Sequence, residues 1–196
     1  DFTRFQPAIN LSGATLASPT DANPDDSIRG HRAILNGDRA AVVYIYTPSE
    51  TLRALQEANY NATTRSSRDG GATWSAPRNV SGVTDNTITA FAPRIIATPP
   101  TIPSGDPLDT RDPDAYFVGW DTRTNTVEPH ESERIDASTA VTGTFGADFS
   151  DPLPVANDPA AGEYSVVLQT FPSGRVLFAV WRQRDADTRP DAWILC

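Results

Sequence analysis

The sequence predicts an all-β chain built from repeated antiparallel sheets, on three observations. Short apolar runs such as Val42 to Tyr46, Val166 to Leu168 and Val176 to Phe178 stand between clusters of turn residues, the signature of short strands. Asn36-Gly37 and Asp69-Gly70-Gly71 lie between such runs and read as tight hairpin turns, because glycine accepts positive φ at no steric cost. Gly146 to Val155 aligns without a gap on Gly71 to Val80 at an offset of 75 residues, so one unit of structure recurs.

Composition bounds what the chain does. Its 196 residues are 38% hydrophobic, with 17 Pro and 12 Gly, enough for one domain with its own core. The net charge is -9 and all 16 basic residues are arginine, scattered rather than clustered, so polyphosphate is repelled and nucleic-acid binding is excluded. The longest apolar runs, such as Ala40 to Tyr46, cover less than half of the ~20 residues a membrane span needs. The lone cysteine, Cys196, gives neither an internal disulfide nor a paired-cysteine metal site. There is no methionine and the sequence opens on Asp1, so a removed leader or a longer precursor is expected.

The elements follow in order. Arg4 to Gly13 resembles Thr73 to Gly82, with Phe5 on Trp74 and Asn10-Leu11-Ser12-Gly13 on Asn79-Val80-Ser81-Gly82, so residues 1–13 are expected to form an outer strand. After an acidic loop, Pro19 to Asp26, strands are expected at His31 to Leu35 and Arg39 to Thr47, joined at Asn36-Gly37-Asp38. A loop from Pro48 to Asn59, with a helical turn at Glu50 to Ala58, leads to a third strand, Tyr60 to Arg68. Beyond the glycine turn Trp74 folds back over it, and a fourth strand runs through Arg78-Asn79-Val80. Residues 30–82 thus form one four-stranded unit.

Residues 90–156 repeat it, with strands at Phe91 to Ala97 and Asp114 to Asp121, a long loop from Pro99 to Pro113, and another from Asp121 to Glu133. Residues 163–196 begin a third unit, with strands at Tyr164 to Phe171, Arg175 to Trp181 and Ala192 to Cys196.

The string Ser67-x-Asp69-x-Gly71-x-Thr73-Trp74 resembles the Asp-box, or BNR repeat, of the sialidase-like β-propellers. The resemblance implies a partial β-propeller of four-stranded antiparallel blades, about three blade equivalents across residues 1–196, with one intact Asp-box. In that family the Asp bonds backbone amides and the Trp packs between blade strands, so Ser67, Asp69, Gly71, Thr73 and Trp74 are implied to be structural and remote from any active site. The second copy has lost the capping carboxylate, with Thr144 and Thr142 in place of Asp69 and Ser67. Propellers close with ~4 to 8 blades, so further blades are expected from the same precursor or from a neighbouring chain. Abundant Ala, Asp, Arg and Pro without Lys fit a bacterial coding bias, and the family points to a secreted, cell-surface or periplasmic protein.

Catalysis of the sialidase kind needs an arginine cluster for the substrate carboxylate, a Tyr with a Glu partner, and an Asp acid/base. Arg94, Arg123, Arg182 and the adjacent Glu163 and Tyr164 are the right types in the wrong pattern. The Arg-Ile-Pro string of catalytic sialidases is absent, and neighbours on a strand point to opposite faces. No residue is assigned as catalytic. Asp106, Asp109, Asp112 and Asp114 in one loop, and Asp185, Asp187 and Asp191 in another, offer oxygen ligands suited to Ca²⁺, without the spacing of a known calcium loop, and also read as solvated acidic loops. His31 reads as structural and His130 as a loop residue. Asn10, Asn61 and Asn79 lie in glycosylation sequons that a bacterial chain leaves unused.

The expected function is a non-catalytic binding or assembly module, requiring no cofactor and presenting its long loops to a protein or glycan partner. Part of a sialidase or other glycoside hydrolase is the alternative.

Overall fold

A computed structural model describes residues 7–12, 28–47, 60–83, 88–97, 116–124, 134–139, 145–157, 163–170, 177–184 and 190–195. Its strands are β1 (Ile28–Asn36), β2 (Arg39–Tyr46), β3 (Asn61–Ser67), β4 (Arg78–Asn79), β5 (Ile88–Ala97), β6 (Tyr116–Thr124), β7 (Arg134–Thr139), β8 (Leu153–Asn157), β9 (Glu163–Thr170), β10 (Leu177–Arg184) and β11 (Pro190–Leu195). They make three sheets, in the orders β1-β2-β3-β4, β5-β6-β7-β8 and β11-β10-β9. Every pairing is antiparallel and between strands adjacent in sequence. The described residues are thus all-β, with no helix.

The turn chemistry is as local as the sequence implies. Asn36 pairs with Arg39 across a two-residue loop. Gly37, at φ 62, takes the first central position, and Asp38 is not among the positive-φ residues. That is a II′ turn, which demands glycine there and whose twist matches that of the strands.

The three sheets share a feature invisible in their turns. The first strand of each is bulged opposite an aromatic residue of the second. Gly30 interrupts the register between Arg29 and His31, where Tyr44 lies across; Ala92 and Pro93 interrupt it between Phe91 and Arg94, across from Trp120; and Ser165 and Val166 do so between Tyr164 and Val167, across from Trp181. Gly30 and Ala92 both adopt left-handed backbone, at φ 50 and φ 46. The two bulges also touch, because a Cβ on Gly30 would stand 3.0 Å from Cδ of Pro93. In this register Arg32, opposite Val43, and Arg94, opposite Gly119, are equivalent positions.

The core lies between the first and second sheets. Period-two alternation puts Ala41, Val43 and Ile45 of β2 on one face, where they cluster with Tyr116, Val118 and Trp120 of β6. Tyr60, Ala62, Val80, Ala90 and Phe145 complete the cluster, all buried. Each fully buried Val, Ile or aromatic contributes about 1.5–3 kcal/mol relative to exposure. Hydrogen bonds tie the sheets directly: Ala90 N donates to Tyr60 O at 2.8 Å, and Tyr60 N donates to Thr89 Oγ1 at 3.1 Å. β5 also packs on both β1 and β9, so the sheets follow one another in chain order.

Several expectations change. Residues 7–12, expected within an outer strand, form none; Leu11 O is instead held by Arg65 Nη1 at 2.8 Å. β6 continues to Thr124, so the loop expected from Asp121 starts later. β4 is only two residues long. Pro93 lies inside β5, at the bulge, where a missing N–H costs no ladder bond. The expected helical turn at Glu50 to Ala58 lies outside the described residues.

Candidate functional site

The turn after β3 is a closed set of hydrogen bonds around one carboxylate. Thr73 donates twice to Asp69, from its amide to Oδ1 at 2.9 Å and from its hydroxyl to Oδ2 at 2.6 Å. Ser67 Oγ donates to Asp69 Oδ1 at 2.8 Å and accepts from the Gly71 amide, also at 2.8 Å. Trp74 folds back so that Nε1 donates to Gly71 O at 2.9 Å. These contacts hold the Asp69 carboxyl at a pKa of about 2, the Thr73 hydroxyl contributing most, then its amide, then Ser67. Arg65 locks the returning strand through Nε to Ser75 O at 2.6 Å. Gly70 N donates to Asp38 O at 2.8 Å, docking this turn on the β1–β2 turn. The arrangement is self-satisfied: it organises backbone and offers a ligand little.

The second copy keeps the backbone of this turn and changes its side chains. Gly70 and Gly71 adopt φ 68 and φ 92, and the aligned Phe145 and Gly146 adopt φ 45 and φ 81. Phe145 carries a side chain where glycine is the unstrained choice, and its ring is buried at 3% exposure between the sheets. It meets Tyr116 edge-on, ring centroids 5.5 Å apart. The Arg68 guanidinium lies 6.0 Å from its centroid. Phe149, aligned with Trp74, packs edge-on against Tyr116 at 5.6 Å. Burial raises the pKa of the Tyr116 hydroxyl, opposed by the Thr64 hydroxyl beside it. Neither oxygen completes a hydrogen bond.

Charged groups come together at the bulges. Arg94 is half-buried, and its Nη1 donates to the carbonyls of Ala92 at 2.8 Å and Pro93 at 3.0 Å, pinning the bulge. Burial lowers the pKa of its guanidinium, Asp121 raises it and Arg32 lowers it further, so all three charges share one neighbourhood. Asp121 is buried at 2% exposure. His31 and Arg32 are exposed on β1, with Arg32 Nη1 on His31 O at 2.7 Å. Exposed Arg32 and half-buried Arg94, at equivalent positions on the first strands of adjacent sheets, can receive an anionic or hydroxyl-rich group.

Of the residues singled out in sequence, Ser67, Asp69, Gly71, Thr73 and Trp74 come together in one turn. Arg94 joins Asp121 and Arg32, which spacing alone did not suggest. Arg123 lies on β6, and Arg182 lies on β10 in register with Tyr164 of β9. Asp106, Asp109, Asp112, Asp114, Asp185, Asp187, His130 and Cys196 lie outside the described residues. Among the described residues no group of three His, Cys, Asp or Glu side chains is placed to hold a metal, and no helix is long and apolar enough to cross a membrane. The residues that sequence reasoning missed are Arg32, Asp121 and the strained Ala92; the signal for the last was a proline in mid-strand.

No protein-family model matches the chain, and no curated protein does. Solved structures similar to it include a glycoside hydrolase of family GH62 in complex with xylotriose, at 12% identity and TM-score 0.35, covering 91% of this chain and 68% of that one. The catalytic domain of a GH62 α-L-arabinofuranosidase from Coprinopsis cinerea follows, at 12% identity and TM-score 0.28, covering 90% of this chain and 66% of that one. An α-L-arabinofuranosidase from Podospora anserina, in complex with cellotriose, stands at 13% identity and TM-score 0.28, with the same coverages of 90% and 66%.

Proposed function

We propose that the chain is part of an Asp-box β-propeller, secreted, cell-surface or periplasmic, that acts as a non-catalytic binding module for a protein or glycan partner. Its three sheets are its blades, and further blades come from the same precursor or a neighbouring chain. The contact face is the strand-bulge region of β1 and β5. One observation carries this reading: the two bulges meet, and at them left-handed backbone, including the non-glycine Ala92, sets Arg94 beside Asp121 with Arg32 and His31 exposed next to it. Bulges re-aim side chains, and backbone strain persists where surrounding structure holds it for a purpose. Binding to an array of neutral and acidic glycans, compared between the native protein and Arg32→Ala, tests it. Binding lost in the variant, with an unchanged melting temperature, supports the reading; a variant that binds as the native protein does removes this face from it.

The second reading, part of a glycoside hydrolase, is favoured by Asp121, a buried carboxylate next to Arg94. Turnover of a fluorogenic sialoside by the intact protein, lost in Asp121→Asn, would replace the binding reading.

A further inference from the structure

The two copies of the repeated turn leave it by the same route, and one residue on that route differs in chemistry. In the first copy Ala76-Pro77 carries the chain out of the turn and into β4. In the second, Asp151-Pro152 takes the aligned positions and leads into β8. All four residues are exposed and lie outside the strands, so each bond to proline joins two solvent-facing residues just before a ladder begins. The first copy has a methyl group where the second has a carboxyl.

An aspartate before proline brings a nucleophile and a good leaving group together. Its carboxyl oxygen reaches the carbon of its own main-chain carbonyl through a five-membered ring, and the proline nitrogen, alkylated twice, accepts a proton and departs more readily than an ordinary amide nitrogen. The carboxyl must be able to turn onto that carbon. Asp69 cannot, because Thr73 and Ser67 hold it, and Asp121 is buried; neither precedes proline. Asp151 meets both conditions, since it is exposed and no hydrogen bond or ion pair joins its carboxyl to another described residue. Asp148 is the charged residue in the same turn, and across the β7–β8 register Asp136 pairs with Pro154.

We propose that the Asp151–Pro152 bond is a site of acid-promoted self-cleavage, which converts the folded chain into a nicked molecule of two fragments. The Asp151 carboxyl oxygen bonds to the carbon of its main-chain carbonyl, the C–N bond to Pro152 breaks with its electron pair, and that nitrogen takes a proton from the medium. Water then opens the cyclic anhydride. Residue 151 is left with its side-chain carboxyl and a new main-chain carboxyl, Pro152 becomes a protonated secondary amine, and one water is consumed. The cut falls between β7 and β8, yet β8 stays paired with β7 from Arg134↔Asn157 to Ala137↔Leu153, and β9 stays packed on β5 and β6. The fragments therefore hold together. Mild acid is enough, because carboxylate and free proton coexist near the ordinary carboxyl pKa of ~4, while the Asp69 turn stays ionised and intact down to about 2.

The test incubates the full chain, folded, at about pH 4 and at neutral pH, and follows it by intact-mass spectrometry and N-terminal sequencing. Fragments 1–151 and 152–196, the second beginning Pro-Leu-Pro, are expected to accumulate in acid and not at neutral pH, with the Ala76–Pro77 bond whole in every sample. On native size exclusion the two fragments should elute as one particle and part only in denaturant. Asp151→Ala, which installs the residue of the first copy, should lose the cut. A 151–152 bond that stays whole in the folded acid sample would overturn the proposal, as would a cut that persists in Asp151→Ala, equal cutting at both pH values, or equal cutting before Pro77. Fragments that elute apart under native conditions would overturn the account of what holds them.

Discussion

Replacing one glycine in each copy of the repeated turn by alanine separates backbone strain from packing between sheets. Gly71 and Gly146 are aligned and both left-handed, at φ 92 and φ 81, so a Cβ costs roughly 1–2 kcal/mol of conformational energy in either. Their surroundings differ. A Cβ on Gly71 comes no nearer than 3.8 Å to the Trp74 ring, an ordinary contact. A Cβ on Gly146 would overlap the Tyr116 hydroxyl and crowd Cζ at 3.0 Å. Tyr116 cannot yield, because it is wholly buried and held by Phe145 and Phe149. Overpacking a close-packed core adds about 1–3 kcal/mol. Gly71→Ala should therefore lose about 1–2 kcal/mol and Gly146→Ala about 2–5 kcal/mol, measured by urea denaturation with unchanged m-values.

A cycle with Tyr116→Phe assigns the excess. Removing a buried hydroxyl that completes no hydrogen bond should be close to neutral on its own. In the Gly146→Ala background it should recover a large part of the excess, since it removes the atom in conflict. Equal losses for the two glycine variants, or no recovery in the double variant, would refute the view that Tyr116 fills the space of a missing Cβ.

Three further outcomes are expected. Asp69 is held at a pKa of about 2, below its unfolded value near ~4. Its contribution is therefore full above that unfolded value and fades as pH falls from there towards about 2; Asp69→Ala should lower the melting temperature at neutral pH and leave it unaltered at the acid end, read by thermal scans across that window. Trp74→Ala should cost somewhat less than the ~3–5 kcal/mol typical of buried aromatics, because the ring stays partly exposed while its Nε1 anchors Gly71; calorimetry checks it. Arg94→Ala should destabilise the fold by about 1–3 kcal/mol, since two bulge carbonyls lose a charged donor and Asp121 loses a nearby cation; exposed Arg32→Ala should leave denaturant midpoints unchanged.

By itself the sequence determined what is decided within a few residues. Asp69, Gly71, Thr73 and Trp74 specify their turn because the bonds to the Asp69 carboxylate and from the Trp74 indole span four residues or fewer. The II′ turn at Gly37 and the period-two burial of Ala41, Val43 and Ile45 are local for the same reason. The 75-residue repeat was legible because both copies keep the same backbone, even where Phe145 replaces a glycine.

Only the tertiary structure decided how the sheets meet. Tyr116 occupies the space left by Gly146, 30 residues downstream in a different part of its sheet. Tyr60 bonds to Thr89 and Ala90 of the next sheet. Arg32, Arg94 and Asp121 become neighbours because the bulges of β1 and β5 are pressed together through Gly30 and Pro93. No spacing rule encodes that meeting. The partners come from separate strands, and a bulge shifts the face of every residue beyond it, so the face presented by Arg94 follows from where Pro93 is packed.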